Sequence, residues 1–216
     1  LDPVRYVGNR SSGRMGLALA SEAVARGARV VLVLGPVGLE PPLGAEVVRV
    51  RNAAQMRNAV MGHATDADAV IMAAAVADYT VSGGVHPEKL AKDGETLTLN
   101  LTRTTDILAE LGRWRGDRNR PVLVGFAAET QEVVAHAKTK LDAKRVDVMV
   151  ANDVSRTDAG FDVDTNAATL VESTGATDLP LQSKRDLAGV ILERVEALLS
   201  LRASPAAADV VDDDAP

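Results

Sequence analysis

Residues 68–79 read DAVIMAAAVADY, an apolar run that gives way to small side chains and then reaches a carboxylate. The apolar part predicts a buried strand over residues 68–73, of the kind found inside parallel sheets. Small residues after a strand leave the backbone open to a ligand, and Asp78 lies at the edge of that surface. The stretch therefore predicts an α/β fold and a ligand site together.

Strand-like and helix-like segments alternate along the rest of the chain. A short extended run at 4–7 is followed by a helix at 15–26, which ends at Gly27, and by a strand at 28–34 that reads as buried on both faces. Further strands are predicted at 46–50, 122–126 and 147–151, and further helices at 53–63, 105–114, 129–144 and 184–199. This order predicts a Rossmann-like parallel sheet with helices on both faces, which binds ligands outside the carboxyl ends of its strands.

One segment does not fit the alternation of strands and helices. Residues 81–87 form a connection with glycine and proline, and residues 96–101 alternate strictly between polar and apolar, as in a half-buried strand. We expect a protruding β arm between residues 79 and 101. Its leucines need cover, which predicts a homodimer joined through the arm; the alternative is a hairpin folded back on its own domain.

Composition limits the function. The 216 residues are 46% hydrophobic and 25% charged, enough for one globular domain. The net charge of −6 gives no electrostatic support for binding nucleic acid. No apolar run is long enough to span a bilayer, no signal peptide is recognised, and cysteine is absent, so we expect a cytoplasmic protein.

The two ends of the sequence carry expectations of their own. The chain starts at Leu1 without Met, which suggests a piece of a longer polypeptide or a trimmed form. We assign residues 1–201 to the domain and residues 202–216 to a disordered acidic tail, because that stretch is low in complexity.

Residues 9–16, NRSSGRMG, join the first extended run to the first helix. Glycines at such a turn let backbone N–H groups approach a phosphate, which the helix N-terminus also attracts. The alternative is that Ser12 caps the helix while Gly16 permits close helix–sheet packing. A dinucleotide-binding turn would need an acid after the second strand, where the chain has LVLGP, and this counts against NAD.

Lysines supply candidate phosphate ligands. Lys140 and Lys144 lie four residues apart on one helix face, and Lys89 and Lys92 lie in the arm, where they could close over phosphates. In both cases a solvated surface is the alternative. The three histidines are far apart, and we assign them no metal.

Seven segments in order resemble phosphopantothenate-cysteine ligase, the synthetase half of the bacterial bifunctional coenzyme A biosynthesis protein. The resemblance covers residues 2–199, and its segments are DPVRYVGNRSSGRMG, DAVIMAAAVADY, PEKLAK, TTDI, GFAAET, KTKLDAKRVDVMVANDV and GFDVDTNAATL. It implies that 4'-phosphopantothenate reacts with CTP to give an acyl-cytidylate and pyrophosphate, and that L-cysteine then displaces CMP.

The resemblance also assigns roles to residues. It implies that Asn9 and Lys89 are catalytic and that Arg5, Asn9 and Ala75 bind the phosphopantothenoyl group. The implied nucleotide-binding residues are Ser11, Gly13, Gly16, Met72, Ala73, Ala74, Asp78, Lys89, Thr105, Asp106, Ile107, Leu108, Phe126, Lys140 and Lys144. Mg²⁺ is the implied cofactor, with no residue assigned to it.

The chain departs from the family pattern at two places. Asn-Pro-Asp-Ile of the family is Thr104-Thr105-Asp106-Ile107 here, and a lysine-rich run is reduced to Lys89 and Lys92, of which we favour Lys89. Two other functions remain as alternatives: a Rossmann-type NAD(P)-dependent oxidoreductase, and a nucleotide-binding module without turnover.

Overall fold

The computed structural model describes residues 1–9, 11–91, 94–129, 131–153 and 163–203. Within these ranges the helices are α1 Arg14–Ala25, α2 Ala53–Ala64, α3 Ile107–Arg115, α4 Val133–Lys144 and α5 Lys184–Ala203. The strands are β1 Val31–Leu34, β2 Glu46–Arg49, β3 Ala69–Met72, β4 Tyr79–Val81, β5 Leu101–Arg103, β6 Val122–Glu129, β7 Val148–Asp153, β8 Thr165–Glu172 and β9 Gly175–Ser183.

The main sheet has five strands in the order β3-β6-β7-β8-β9. Strands β3, β6 and β7 are parallel, but β8 and β9 run antiparallel to their neighbours. The predicted parallel sheet is thus confirmed for β3, β6 and β7, whereas the antiparallel strands β8 and β9 were not predicted. Only two residues separate β8 from β9, and so short a connection can join strands only in antiparallel order.

The first part of the chain differs from prediction. Residues 4–7 form no strand, and Tyr6 is 83% exposed. The predicted strand at 28–34 is shortened to β1, which pairs in parallel with β2 and is only half-buried before Leu34. Its single strand partner among the described residues is β2, so the prediction of burial on both faces is wrong.

The helix predictions hold with shifted ends. Helix α1 lies within one residue of its predicted bounds and is followed by Gly27 in the left-handed conformation at φ 82°. Helix α4 begins at Val133 rather than at residue 129, because β6 continues through Glu129. Helix α5 extends to Ala203, so residues 202 and 203 are helical rather than part of a tail, and residues 204–216 lie outside the described residues.

The core lies on both faces of the main sheet. Alternate residues of β6 point to opposite faces, so Leu123 packs with α2, α3 and α4 while Val122 and Val124 pack with α1 and α5. All three side chains are completely buried. Helices on both faces of an α/β sheet are thus confirmed.

The arm leaves the main sheet after β3. Strand β4 pairs antiparallel with β5 in this segment, but the second strand is 101–103 rather than the predicted 96–101. Leu97 and Leu101 remain 59% and 43% exposed. Use of the arm for dimerisation stays a prediction. Among the described helices, none has both the length and the apolar character needed to cross a membrane.

Candidate functional site

The candidate site lies at the carboxyl ends of β3 and β6, where ligands bind in open α/β sheets. Met72 ends β3 and pairs in register with Gly125, and the loop 73–78 continues from it toward the arm. Strand β6 runs four residues further and ends at Glu129. Both ends open at the same edge of the sheet, so the loop and Glu129 flank one surface.

The loop 73–78 is held from two sides. Nδ2 of Asn9 donates to the carbonyl oxygen of Val76 at 3.1 Å. On the other side, Oγ1 of Thr104 donates to the carbonyl of Ala77 at 2.6 Å, and the Thr104 N–H donates to the carbonyl of Asp78 at 2.9 Å. The structure thus joins three segments that the sequence assigned to one site.

The glycine turn before α1 is built for close approach to its backbone. Gly13 is the N-cap residue at φ 74°, and a Cβ there would come within 2.8 Å of Cγ1 of Val37. Ser12 precedes the N-cap position, and a Cβ on Gly16 would meet no atom within 4 Å. The open space at Gly16 gives no support to close helix–sheet packing there, and phosphate binding at the turn stays a prediction.

Two of the three lysines of α4, Lys140 and Lys144, are ion-paired at this edge of the sheet. Nζ of Lys140 lies 2.6 Å from Oε1 of Glu129, a carboxylate that is only 9% exposed. His136 stands on the other side of Glu129, with Nδ1 3.4 Å from Oε2. Nζ of Lys144 lies 3.0 Å from Oδ2 of Asp106. Each ammonium group is thus paired with a carboxylate, and contact of either lysine with a nucleotide stays a prediction.

Asp106 ties the lysine to a helix end. Its side chain accepts the Ala109 N–H at 3.0 Å and so caps α3. Burial acts to raise the pKa of Asp106, but the Ala109 N–H and the Lys144 ammonium outweigh it and lower that pKa below its ordinary value. The N-terminus of α3 therefore carries a cation and a helix dipole side by side.

Not every predicted nucleotide residue offers a side chain. Ile107 and Leu108 are buried in the core, so either could meet a ligand only through its backbone. The other predicted residues are half-buried or exposed. Met72, Ala73, Ala75, Gly13, Gly16 and Phe126 are half-buried, and Ser11, Ala74, Asp78, Lys89, Thr105 and Asp106 are exposed.

Arg5 is engaged within the protein. Its guanidinium contacts both Asp2 and the carbonyl oxygen of Leu90. The structure thus brings Arg5 to the segment that bears Lys89, rather than into a contact with Asn9 or Ala75. Lys92 lies outside the described residues, as do Arg10, Thr130, Val154 and residues 160–162 of the quoted motifs.

Sequence reasoning missed Asp2 and Glu129. Glu129 carries the signal that identified Asp78, since an apolar strand rich in small residues ends at a carboxylate. Asp2 gave no such signal, because its contact with Leu90, 88 residues away, forms only on folding. Among the described residues, no three histidine, aspartate or glutamate side chains cluster as metal ligands.

Known proteins are similar to this chain over nearly all of the domain. The family model of the DNA/pantothenate metabolism flavoprotein C-terminal domain matches residues 1–199. The coenzyme A biosynthesis bifunctional protein CoaBC of Bacillus subtilis is 47% identical over 200 residues, which are 92% of this chain and 48% of the relative. The CoaBC protein of Vibrio vulnificus strain CMCP6 is 43% identical over 201 residues, which are 92% of this chain and 49% of that relative.

A solved structure agrees in fold. The crystal structure of a C-terminal domain of CoaBC superposes with a TM-score of 0.76 at 38% identity, covering 92% of this chain and 89% of that one. This chain spans about half the length of the curated relatives it matches.

Proposed function

The chain belongs to the family of the DNA/pantothenate metabolism flavoprotein C-terminal domain, and from this premise we propose that it is a phosphopantothenate-cysteine ligase that uses CTP. The relatives are named for coenzyme A biosynthesis as bifunctional proteins, and this chain matches half of each. The hydrogen bond from Asn9 to Val76 supports the proposal most directly. It joins the residue proposed for the acyl group to the loop proposed for the nucleotide.

The first step forms the acyl-cytidylate. A carboxylate oxygen of 4'-phosphopantothenate attacks the α-phosphorus of CTP, the bond from that phosphorus to the bridging oxygen breaks, and pyrophosphate leaves. Two anions must meet, so cations and N–H donors fixed around the phosphates lower the barrier. The glycine turn before α1, Lys144 at the N-terminus of α3, Lys140 and Lys89 are the groups that supply them.

The second step forms the amide. The amine of L-cysteine attacks the acyl carbon, CMP leaves with the bonding electron pair, and the amine gives up a proton. Asn9 suits this step because a neutral amide holds the acyl-cytidylate by hydrogen bonds without reacting with it. No nucleophile from the protein is required in either step.

The nucleotide is proposed to lie across the loop 73–78. Its small side chains, half-buried except at Ala74, let a base or ribose approach the backbone, and the exposed carboxylate of Asp78 offers an acceptor at the end of the loop. The buried side chains of Ile107 and Leu108 hold the first turn of α3, so that backbone N–H groups rather than side chains face the ligand.

Mg²⁺ is proposed to accompany the triphosphate. This ion usually keeps several waters and binds through one or two carboxylates plus substrate phosphates, and an exposed Asp78 beside a phosphate site fits that donor set. When bound, the ion would share the negative charge of the triphosphate.

We also propose a cytoplasmic homodimer, in which the arm leucines of one copy cover those of the other, and a place within a longer bifunctional chain. The exposure of Leu97 and Leu101 supports the dimer, since apolar side chains on a two-stranded hairpin gain from a partner.

Pyrophosphate release from CTP tests the function. We expect release only when phosphopantothenate is present, and CMP release only when L-cysteine is added as well. Pyrophosphate release without phosphopantothenate, or none at all, would contradict the proposal. The same preparation titrated with NAD(P) addresses the oxidoreductase alternative, which predicts binding of NAD(P) and not of CTP.

A further inference from the structure

Asp2 is the one acidic side chain of residues 1–9, and it accepts five hydrogen bonds. It is only 6% exposed. Oδ1 accepts the Val4 and Arg5 N–H groups at 2.9 and 2.8 Å. Oδ2 accepts from the Arg5 guanidinium at 2.9 and 2.6 Å and from the Leu90 N–H at 3.2 Å. Four of these five donors belong to Val4 and Arg5, and the fifth belongs to Leu90 in the arm.

Asp2 and Arg5 both contact the backbone of Leu90 in the arm. Oδ2 of Asp2 accepts the Leu90 N–H, and the Arg5 guanidinium donates to the Leu90 carbonyl oxygen at 2.8 Å. A second contact secures the start of the segment, where the His86 N–H donates to the carbonyl of Leu1 at 3.0 Å. The segment 86–90 is therefore fixed at both of its ends on residues 1–5.

Lys89 lies within this fixed segment, next to Leu90. Its side chain is exposed, so the position of its ammonium group depends on the backbone beneath it. Residues 1–5 also lead directly to Asn9, which is bonded to Val76. The same nine residues thus connect the two proposed catalytic side chains.

We propose that Asp2 is a positioning residue that, together with Arg5, fixes the backbone beneath Lys89. The inference rests on the proposed function for the role of Lys89. It assigns Arg5 to holding the arm, in place of the substrate contact expected from the sequence.

Asp2 is ionised at neutral pH, and its charge stabilises its hydrogen bonds to Arg5 and Leu90. The Arg5 side chain holds the pKa of Asp2 well below its usual range, with further help from the N–H donors of Val4, Arg5 and Leu90. Because the folded pKa is depressed, the contact is complete above the ordinary aspartate pKa and is lost only when the pH falls through the lowered value. It is intact throughout neutral pH.

Asp2→Asn tests the inference, since it keeps the size of the side chain but turns one acceptor oxygen into a donor that faces donors. We expect pyrophosphate formation in a single turnover to fall at least about tenfold, because small misplacement of a catalytic group is costly. In a Lys89→Gln background the same substitution should change the rate less than about twofold, because coupled residues are not additive. Glu22→Gln, which weakens an ion pair to Arg26 in α1, is the control and should leave the rate unchanged.

Hydrogen exchange measures the contact between residues 1–5 and the segment 86–90 without depending on enzyme activity. In Asp2→Asn we expect the amides of residues 86–91 to exchange faster than in the wild type, while those of β6 do not change. If Asp2→Asn does not fold, Arg5→Lys replaces it in the same comparison with and without Lys89→Gln. That variant removes the guanidinium fork but keeps the charge.

The outcomes separate the two claims. Equal losses from Asp2→Asn with and without Lys89, or unchanged exchange at residues 86–91, would overturn the positioning role. A wild-type protein that releases no pyrophosphate contradicts the proposed function, whereas the exchange measurement still decides whether Asp2 fixes the arm.

Discussion

Nζ of Lys144, the last residue of α4, lies 3.0 Å from Oδ2 of Asp106, the N-cap residue of α3. The lysine thus extends along α3 to its N-terminus, where the helix dipole is positive. Asp106 offsets both charges. We therefore predict that a phosphate bound at this helix end would contact the same donors.

The lysines of α4 give the first prediction. Lys140→Gln and Lys144→Gln should each weaken CTP binding by about 1 to 3 kcal/mol, since each removes a charged hydrogen bond to phosphate. Calorimetric titration with CTP and Mg²⁺ measures the change. Lys138→Gln is the matched control, because Lys138 lies on the same helix but donates to the carbonyls of Glu172 and Ser173. Equal affinity in all three variants would return the lysines to a structural role.

The charge of Asp106 gives a prediction about pH. Asp106→Asn keeps the helix cap but loses the pairing with Lys144, so we expect a loss of only a few tenths of a kcal/mol at pH 7, as for exposed ion pairs. Since the pKa of Asp106 is lowered from 3.8, this difference is present above pH 3.8 and disappears as the pH falls through the lowered pKa. Urea unfolding at several pH values measures it.

Asp106→Ala separates the cap from the charge. This variant loses both, so its stability should fall by about a further 1 kcal/mol. Unlike the charge term, part of that loss should persist at low pH, because a protonated carboxyl still accepts a hydrogen bond. Identical pH profiles for the two variants would contradict this division.

How far the fold was predictable depends on the strand. Residues 68–73 and 122–126 are rich in apolar side chains, and a parallel strand is confirmed in each as β3 and β6. The prediction of burial holds for β6 but is wrong for β3, which is half-buried because it is the edge strand of the sheet. Strand β9 was missed because it contains Pro180 and few large apolar residues. It tolerates the proline because it is the edge strand of the sheet, where a lost donor need not leave a partner unpaired.

The candidate site was predictable where function depends on local sequence. Asp78 follows β3, and the glycine turn precedes α1; the end of that strand and the start of that helix can be read directly from the sequence. The partners of Lys140 and Arg5 could not be found in this way, because Glu129 and Leu90 meet them only after folding, 11 and 85 residues away. A lysine or arginine in the sequence shows its charge but not whether that charge is already paired.

Gly112 provides a test of packing between α3 and α4, and Gly62 in α2 is its control. A Cβ on Gly112 would overlap the backbone carbonyl of Lys144, which cannot move without shifting α4. Gly112→Ala should therefore cost about 3 kcal/mol and also disturb CTP binding through Lys144. Gly62→Ala, in the last turn of α2, meets no atom within 4 Å and should stabilise the protein by about 0.5 kcal/mol. Thermal unfolding of both variants checks the contrast.

Asn9 gives a prediction about chemistry rather than stability. Its side chain is exposed, so Asn9→Ala should leave the unfolding transition nearly unchanged. Asn9→Asp replaces the donor to the Val76 carbonyl by an oxygen that repels it. We expect both variants to impair formation or use of the acyl-cytidylate, measured by rapid quench with labelled CTP. Full ligase activity in either folded variant would remove Asn9 from the mechanism.

The last prediction concerns the arm. Leu97 and Leu101 are exposed in one copy, whereas Leu99 is half-buried against its own segment, where Val81, Val85 and Leu90 line the same cavity of about 330 Å³. A partner should therefore cover Leu97 first. We expect light scattering to show a dimer for the wild type at micromolar concentration and a monomer for Leu97→Asp.

Leu43→Asp is the control for added charge, because Leu43 is 96% exposed outside the arm, and it should remain dimeric. Leu99→Asp should dissociate the dimer and also loosen the arm, because it places a charge in that cavity. If dimerisation steadies Lys89, activity should fall together with mass in Leu97→Asp. A wild type that is monomeric, or a Leu97→Asp variant that stays dimeric and active, would mean that the hairpin folds back on its own domain instead.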